Sequence, residues 1–259
     1  MRRLFFDIET APNIVYSWRV GYRIILPPDN IIQERKIICV CWKWEHKSKV
    51  YSLQWDKDQD DKKLLEEFVK VCKEAEELVA HNGDKFDVKW LRTRCIYHRI
   101  NFPDKIKTFD TLKKSRKGFR FNSNKLDYIA QFLGVGEKVK TGGFDLWIKT
   151  MNGDKKALQE MVDYCKNDVI ILEKVFNELE KYVEHNTHVG VVMGGDRWSC
   201  VTCGSEDVRF NGQTISKTGT VKFRMRCNDC GKGWSIAGSV YRRFLEFKYG
   251  KVKKDNTNS

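Results

Sequence analysis

The chain has 259 residues, of which 41% are hydrophobic and 12% aromatic, enough to fill a core and to exclude a wholly disordered polypeptide despite 32% charged residues. Its length suits one medium domain with a small accessory module. Lys and Arg outnumber Asp and Glu by 48 to 35, a net charge of +13 that attracts polyanions, nucleic acid being the commonest in a cell; an ordinary basic surface has the same arithmetic. The longest apolar run, Ile37 to Trp42, is six residues, too short for a membrane span. Met1-Arg2-Arg3 leads into only three apolar residues before Asp7, so no export signal is expected.

Leu4 to Ile8 predicts a buried strand, and Lys36 to Leu53 predicts two more that turn near Glu45 to Ser48. Asp60 to Glu77 carries Leu64, Leu65, Phe68, Val69 and Cys72 at helical spacing, and Leu78 to His81 predicts a strand feeding a helix over Asp84 to His98. A strand over Lys105 to Phe109 and helices over Lys125 to Leu133 and Asp154 to Tyr182 follow. This order implies an α/β fold with a mixed sheet flanked by helices. The first domain is expected over residues 1–185. A linker over 186–196 holds Gly190, Gly194 and Gly195, and a cysteine-rich, short-stranded module follows over 197–236. Residues 237–259 are expected to form a basic C-terminal tail, polar and frayed from Lys251 onward.

From Gly190 onward there are thirteen basic residues against six acids, so the small module is the denser cation. Within the larger domain, Lys105 to Lys125 holds eight basic residues and one acid, interleaved with Phe109, Phe119 and Phe121. A solvated loop and a nucleic-acid contact are equally good readings of that run.

Phe6-Asp7-Ile8-Glu9-Thr10 places two carboxylates on one face of a strand, where they repel unless a cation lies between them. Hard oxygen donors of this kind suit Mg²⁺ or Mn²⁺. Further acids follow. Asn82-Gly83-Asp84-Lys85-Phe86-Asp87 puts Asp87 at the start of an amphipathic helix, where Asp84 or Asp87 also serves as a helix cap. Tyr164 and Asp168 stand at i and i+4 on one helical face. Asp110, at the end of a predicted strand, is a candidate supporting acid.

Phe-Asp-Ile-Glu-Thr, Asn-Gly-x-x-Phe-Asp and Tyr-x-x-x-Asp, in that order, resemble the three motifs of the DEDD (DnaQ-like) 3′-to-5′ exonucleases. The tyrosine marks the subclass of the proofreading domains of family B DNA polymerases. Leu133-Gly134-Val135-Gly136 and Gly143-Phe144-Asp145-Leu146-Trp147 further resemble stand-alone phage and bacterial members of the ribonuclease H-like superfamily, over about residues 3 to 183. The resemblance implies that Asp7, Glu9, Asp87 and Asp168 hold two Mg²⁺ or Mn²⁺ ions and that Tyr164 orients the attacking water. The expected product is a 5′-mononucleotide from a nucleic-acid 3′ end. Single-stranded DNA or a DNA 3′ end is the expected partner, with RNA as a second substrate class and no membrane. The protein is expected in the cytoplasm, the host's if the chain is viral. Thr10, Asn82 and Phe86 match positions that hold the terminal nucleotide, although core packing is an equal reading of Phe86. Lys140, just before Gly142-Gly143, is a candidate phosphate contact. A non-catalytic nucleic-acid-binding or adaptor protein that keeps this fold is the alternative.

Cys200-x-x-Cys203 and Cys227-x-x-Cys230 have the spacing of a four-thiolate structural Zn²⁺ site, each pair followed by a glycine. The other cysteines (Cys39, Cys41, Cys72, Cys95, Cys165) lie in predicted regular segments, a pattern of reduced thiols rather than of a secreted disulfide frame. The module resembles the zinc ribbons attached to transposases and phage exonucleases. One Zn²⁺ is expected to supply much of its folding free energy. Arg209, Lys217, Lys222, Arg224 and Arg226, with Phe210 and Phe223, suggest a nucleic-acid grip, and docking of a protein partner is the other reading.

Overall fold

In the computed structural model the first part of the chain runs β1 (Arg3–Thr10), β2 (Ile14–Val15), a short 3-10 turn (Pro28–Asn30), β3 (Ile31–Gln33), β4 (Ile37–Trp44), β5 (Tyr51–Gln54), α1 (Lys62–Glu74), β6 (Glu77–Ala80), α2 (Asp87–Tyr97), β7 (Lys107–Asp110), α3 (Thr111–Gly118), α4 (Leu126–Phe132), α5 (Phe144–Met151) and α6 (Lys155–Leu179). The structure describes residues 1–21, 23–139, 141–184 and 187–250. Five strands form one mixed sheet in the order β5-β4-β1-β6-β7. β1 pairs antiparallel with β4 and parallel with β6, so it lies at the centre with neighbours on both sides.

The alternation of side chains along β1 sorts its residues onto two faces. Leu4, Phe6 and Ile8 join Leu64, Leu65 and Phe68 of α1 and Val88 and Leu91 of α2 in one core. Phe5, Asp7 and Glu9 face the other way, where the Phe5 ring meets Phe176 of α6 edge-on at 5.1 Å. Burial of each large apolar side chain in these layers contributes about 1.5–3 kcal/mol, and that sum holds the acids of β1 in place. α6 is 25 residues long, and its buried stripe includes Met161, Cys165, Asp168, Leu172, Val175 and Leu179. Asp168 therefore occupies a position where helical periodicity would place an apolar residue.

Two helices differ from the sequence expectation. Beyond β7 the basic run from Lys105 is a loop only over 119–125: β7 ends at Asp110, whose carboxylate caps α3 by accepting from the Lys113 N–H. Phe109 is fully buried, which removes it from any surface contact. α5 begins at Gly143, whose positive φ turns the chain into the helix.

The second unit begins at Glu180, where contact clustering divides the chain, six residues before the expected boundary. The expected linker holds the short helix α7 (Val189–Val192). β8 (Val208–Ile215), β9 (Val221–Cys227) and β10 (Gly233–Ala237) form an antiparallel sheet in the order β10-β9-β8, the small β-rich module expected from sequence. The expected tail is corrected over 238–249, where α8 (Gly238–Tyr249) buries Phe244 against Trp198, Val208, Met225 and Ile236; its part from Lys251 onward lies outside the described residues. Amphipathic spacing of Val240, Tyr241, Phe244 and Leu245 provides that apolar face, obscured in sequence by Arg242, Arg243 and Lys248. The Phe223 ring stacks on Tyr241 of α8 at 4.2 Å, and Phe210 packs against the same ring at 5.3 Å, so neither is a free base-stacking platform. No helix among the described residues is long and apolar enough to cross a membrane.

Asp61, fully buried, ties the first unit together: it accepts from the Ile37 N–H at 2.9 Å, from Arg94 Nε and Nη2 at 2.8 Å each, and from His98 Nε2 at 2.7 Å. Burial raises the proton affinity of this carboxyl, but the hydrogen bonds from Arg94, Ile37 and His98 outweigh it and hold Asp61 below its usual range. Its contribution is thus complete above the titration of an unfolded aspartate, near pH 3.9, and is lost as pH falls below it. Asp61→Ala leaves Arg94 buried without its partner and is expected to cost about 3–5 kcal/mol at pH 7, read as a lowered urea midpoint, with the gap to wild type closing in acid.

Candidate active site

Asp7 and Glu9 lie on the β1 face that meets α6, and each offers a carboxylate oxygen within 4.8 Å of an oxygen of Asp168. Asp87, 2% exposed, joins them from the first position of α2, where its Oδ1 accepts from the Ile8 N–H at 3.2 Å. That bond stitches the second motif to the first. The turn before α2 has no room for a side chain at Gly83, where a Cβ would come 2.5 Å from Ala80 Cβ. Asn82 adopts a positive φ, and the N–H groups of Asn82 and Asp84 donate to Asp110 at 3.0 and 3.3 Å. Asp110 is thus the brace of this turn, not a member of the carboxylate group.

These carboxylates raise one another's proton affinity. Burial, then the charges of Asp87, Glu9 and Asp168, push Asp7 well above the normal range. Glu9 is pushed up to about 8 by burial and by Asp168, and Asp87 to about 7, chiefly by burial. Lys138 is the local counter-charge. Its Nζ donates to Asp168 Oδ2 and, at 3.1 Å, to the Tyr164 phenol oxygen. Burial opposes its charge, but Asp168 and Tyr164 hold it protonated. The Tyr164 phenol is itself raised above its ordinary value by burial and by Asp168, so it stays a hydroxyl at neutral pH and keeps its own proton to donate.

One lysine does not balance this much negative charge in a buried place, and Asp168 Oδ1 is buried with no hydrogen-bond partner. Acceptor-only oxygens converging at this range are the donor set of hard divalent cations. Asp7, Glu9 and Asp168 could together hold a divalent metal ion, with Asp87 close enough to add its charge to theirs. Asp7 borders a cleft of about 730 Å³ whose wall also includes His81, Asn82, Arg116, Lys125 and Lys138. Burial lowers His81 to about 4, so the ring is neutral and its Nε2–H donates to the Asn124 carbonyl at 2.9 Å, fastening the Lys125 segment to the cleft.

The secondary candidates divide. Asn82 lines the cleft. Thr10 is buried, accepts from Trp147 Nε1 through its carbonyl at 3.1 Å, and borders a smaller apolar pocket with Phe144 and Trp147. Phe86 packs against the core of α1 and α2, its structural reading. Lys140 lies outside the described residues; two positions earlier, Lys138 makes the contacts just described. Sequence reasoning passed over Lys138 because nothing local distinguishes it from Lys140. Arg116 and Lys125 were visible only as part of a charge run. Beneath the acids, the buried Cys39, Cys41 and Cys165 bring their sulfurs within 4.8 Å of one another, and Cys165 Sγ lies 3.4 Å from the Asp7 carbonyl oxygen.

In the second unit the sulfurs of Cys200, Cys203, Cys227 and Cys230 also lie within 4.8 Å of one another. Cys200 and Cys230 are 3.5 Å apart and Cys203 and Cys227 3.6 Å, close to the spacing around a tetrahedral ion with Zn–S bonds of about 2.3 Å. These four thiols fit Zn²⁺, and four sulfurs leave no open position for catalysis. Cys203→Ser is expected to lower bound zinc from one equivalent to well under one, by metal analysis, and to abolish the melting of the second unit while sparing that of the first.

The raised carboxyls of the first unit set a second expectation. Between about pH 4 and 8 the folded, Mg²⁺-free protein keeps protons that the unfolded chain has released, so its stability should fall as pH rises through that window. Glu9→Gln should flatten the fall, and Mn²⁺ should bind more tightly at pH 8.5 than at pH 6.5 because those protons must leave. Thermal melts across pH, with Mn²⁺ calorimetry, check both; equal melting at pH 5 and 8 would remove the electrostatic account.

A family model described as the RNase H superfamily matches residues 33–180. No curated protein matches the chain. Among solved structures, the family B DNA polymerase from the hyperthermophilic archaeon Pyrobaculum calidifontis is similar, with a TM-score of 0.52 and 16% identity over 70% of this chain. The matched region is 25% of that polymerase's length, and the likeness is one of fold. With the family match covering more than half of the sequence, and a mixed five-stranded sheet carrying acids on its central strand, the chain belongs to the RNase H superfamily.

Proposed function

We propose that the protein is a metal-dependent 3′-to-5′ exonuclease that releases 5′-mononucleotides from DNA, with RNA as a second substrate class. The observation that carries this reading is the meeting of Asp7, Glu9, Asp87 and Asp168 with Tyr164 and Lys138 beside a cleft with basic walls. Divalent ions held by the carboxylates would lower the pKa of the attacking water and stabilise the leaving oxygen of the scissile phosphodiester. The chain's own groups do the rest. Tyr164 accepts from Lys138 and donates toward Asp168, which fixes the phenol where it would hold and orient the water. Lys138 opposes the rise in proton affinity that burial imposes on Asp168 and brings positive charge to the place where the phosphate must lie. Arg116 and Lys125, both exposed on the cleft wall, are available to the next phosphates of the strand.

The direction of cleavage rests on the three exonuclease-like motifs, and the DNA substrate is supported by the likeness to a DNA polymerase. None of the groups around the carboxylates is committed to a sugar hydroxyl, which leaves RNA as a substrate. The four-cysteine module, with Zn²⁺ bound, is proposed as a zinc ribbon that adds affinity for nucleic acid.

Incubation of the protein with 5′-labelled single-stranded DNA and RNA is expected to give, with Mg²⁺ or Mn²⁺, a ladder that shortens from the 3′ end. Asp7→Ala should remove the ladder, a loss of more than about 10³-fold, while leaving the fold and most binding intact. Tyr164→Phe should lower kcat by about 10²-fold with little change in KM. Shortening from the 5′ end, or a ladder that persists in Asp7→Ala, would overturn the assignment.

A further inference from the structure

The two faces of the second unit's sheet are unlike. Along β9, Phe223, Met225 and Cys227 point to the core under α8, whereas Lys222, Arg224 and Arg226 are exposed on the opposite face. Register adds Arg209 of β8, directly across from Arg226. Among the described residues, none of these four cations has a hydrogen bond or ion pair to another protein group. On the other flank their register partners are Ala237, Ser235 and Gly233 of β10, small residues that leave the row unobstructed. On the β8 side, the strand bulges between Phe210 and Gln213, and Arg224 lies over the bulge. A Cβ at Gly212 (φ +96°) would stand 2.8 Å from Arg224 Nη2. Glycine at this one position leaves the guanidinium its place.

Lys222 and Arg224, with Lys232, line a cleft of about 770 Å³ in which Glu184 is the one acid among the described lining residues. Same-face residues on a strand recur every ~6.6 Å, so the row presents cations at a regular spacing to a linear polyanion. The β8, β9 and β10 aromatics, Phe210, Phe223 and Trp234, belong by register to the α8 side. The cationic row itself carries no ring, and the rings that border the cleft, Trp234 and His188, offer stacking that is tolerant of sequence.

We propose that this face binds the phosphodiester backbone of a single nucleic-acid strand, independently of sequence, with Lys222, Arg224 and Arg226 each meeting a phosphate. The proposal deepens the nuclease reading by naming what the module holds, but it rests on that reading only for the choice of polymer. Its test therefore omits cleavage. In full-length protein carrying Asp7→Ala and its zinc, anisotropy of a labelled 12-nucleotide oligothymidylate is followed against salt, with and without Lys222→Gln/Arg224→Gln/Arg226→Gln. Removing three phosphate contacts from a single strand should make the slope of log K against log salt shallower by about 2. Arg242→Gln/Arg243→Gln/Lys248→Gln, which removes the same charge from α8, should leave the slope in place. All six positions are on the surface, and retained zinc and melting temperature verify folding.

An unchanged slope in the β9 variant, or an equal change in the α8 variant, overturns the proposal. A duplex probe whose slope responds as strongly as the oligothymidylate overturns the single-strand assignment. Loss of cleavage in otherwise wild-type protein with binding intact would instead count against the nuclease reading alone.

Discussion

Carboxylates crowded on one face of a buried strand dominate the physics of this protein. Asp7, Glu9 and Asp168 converge within 4.8 Å, with Asp87 alongside, in surroundings that disfavour charge. Left to itself such a group would take up protons or push its elements apart. What prevents the second outcome is the opposite face of the same strand, where Leu4, Phe6 and Ile8 lock β1 into the core of α1 and α2. The strand's two-residue period makes both possible at once: apolar anchoring on one side and an electrostatically strained set of oxygens on the other. Lys138 relieves that strain in part, and divalent ions are its chemical complement.

Precision at such a site comes from groups that never touch a reacting atom. Asp110 braces the turn through Asn82, Asp84 and Lys113, and that turn sets where α2 begins and hence where Asp87 meets the Ile8 N–H. Neutral His81 does the corresponding task for the Lys125 segment. The layer beneath the acids is filled by Cys39, Cys41 and Cys165, small side chains that let α6 approach β1 and β4 closely.

The second unit solves a different problem. Its core of Trp198, Val208, Met225, Ile236 and Phe244 is small, and four sulfurs at tetrahedral spacing provide the cross-link that a small core lacks. The two clusters thus differ in ligand softness: the oxygens of the first unit suit a hard cation, the sulfurs of the second a softer one. With α8 covering one face of the three-stranded sheet, the cations of β9 are left together on the other.

The residues that the structure brings together were visible in sequence as local patterns, and the resemblance to the exonuclease motifs joined them into one candidate site. Asp7 and Glu9 two apart on a strand, Tyr164 and Asp168 four apart on a helix, and the paired cysteines each follow from a backbone period, and a period is a property of consecutive residues. The mixed sheet and most of its helices were legible for the same reason. What consecutive residues do not carry is which distant group arrives beside them. Lys138 and Lys140 are alike in sequence, and only the path of the chain between α4 and α5 brings the former to Asp168 and Tyr164. The basic run after Lys105 concealed α3, because that helix depends on a cap from Asp110 and on burial of Thr111 and Ser115 more than on an apolar stripe. Residues 238–249 looked like a tail because four charged residues are interleaved with the four apolar ones that dock them as α8. Local hydrogen-bond geometry and side-chain periodicity are written into the chain itself, whereas the pairing of charges and the docking of marginal helices depend on surfaces that exist only once the sheet has formed.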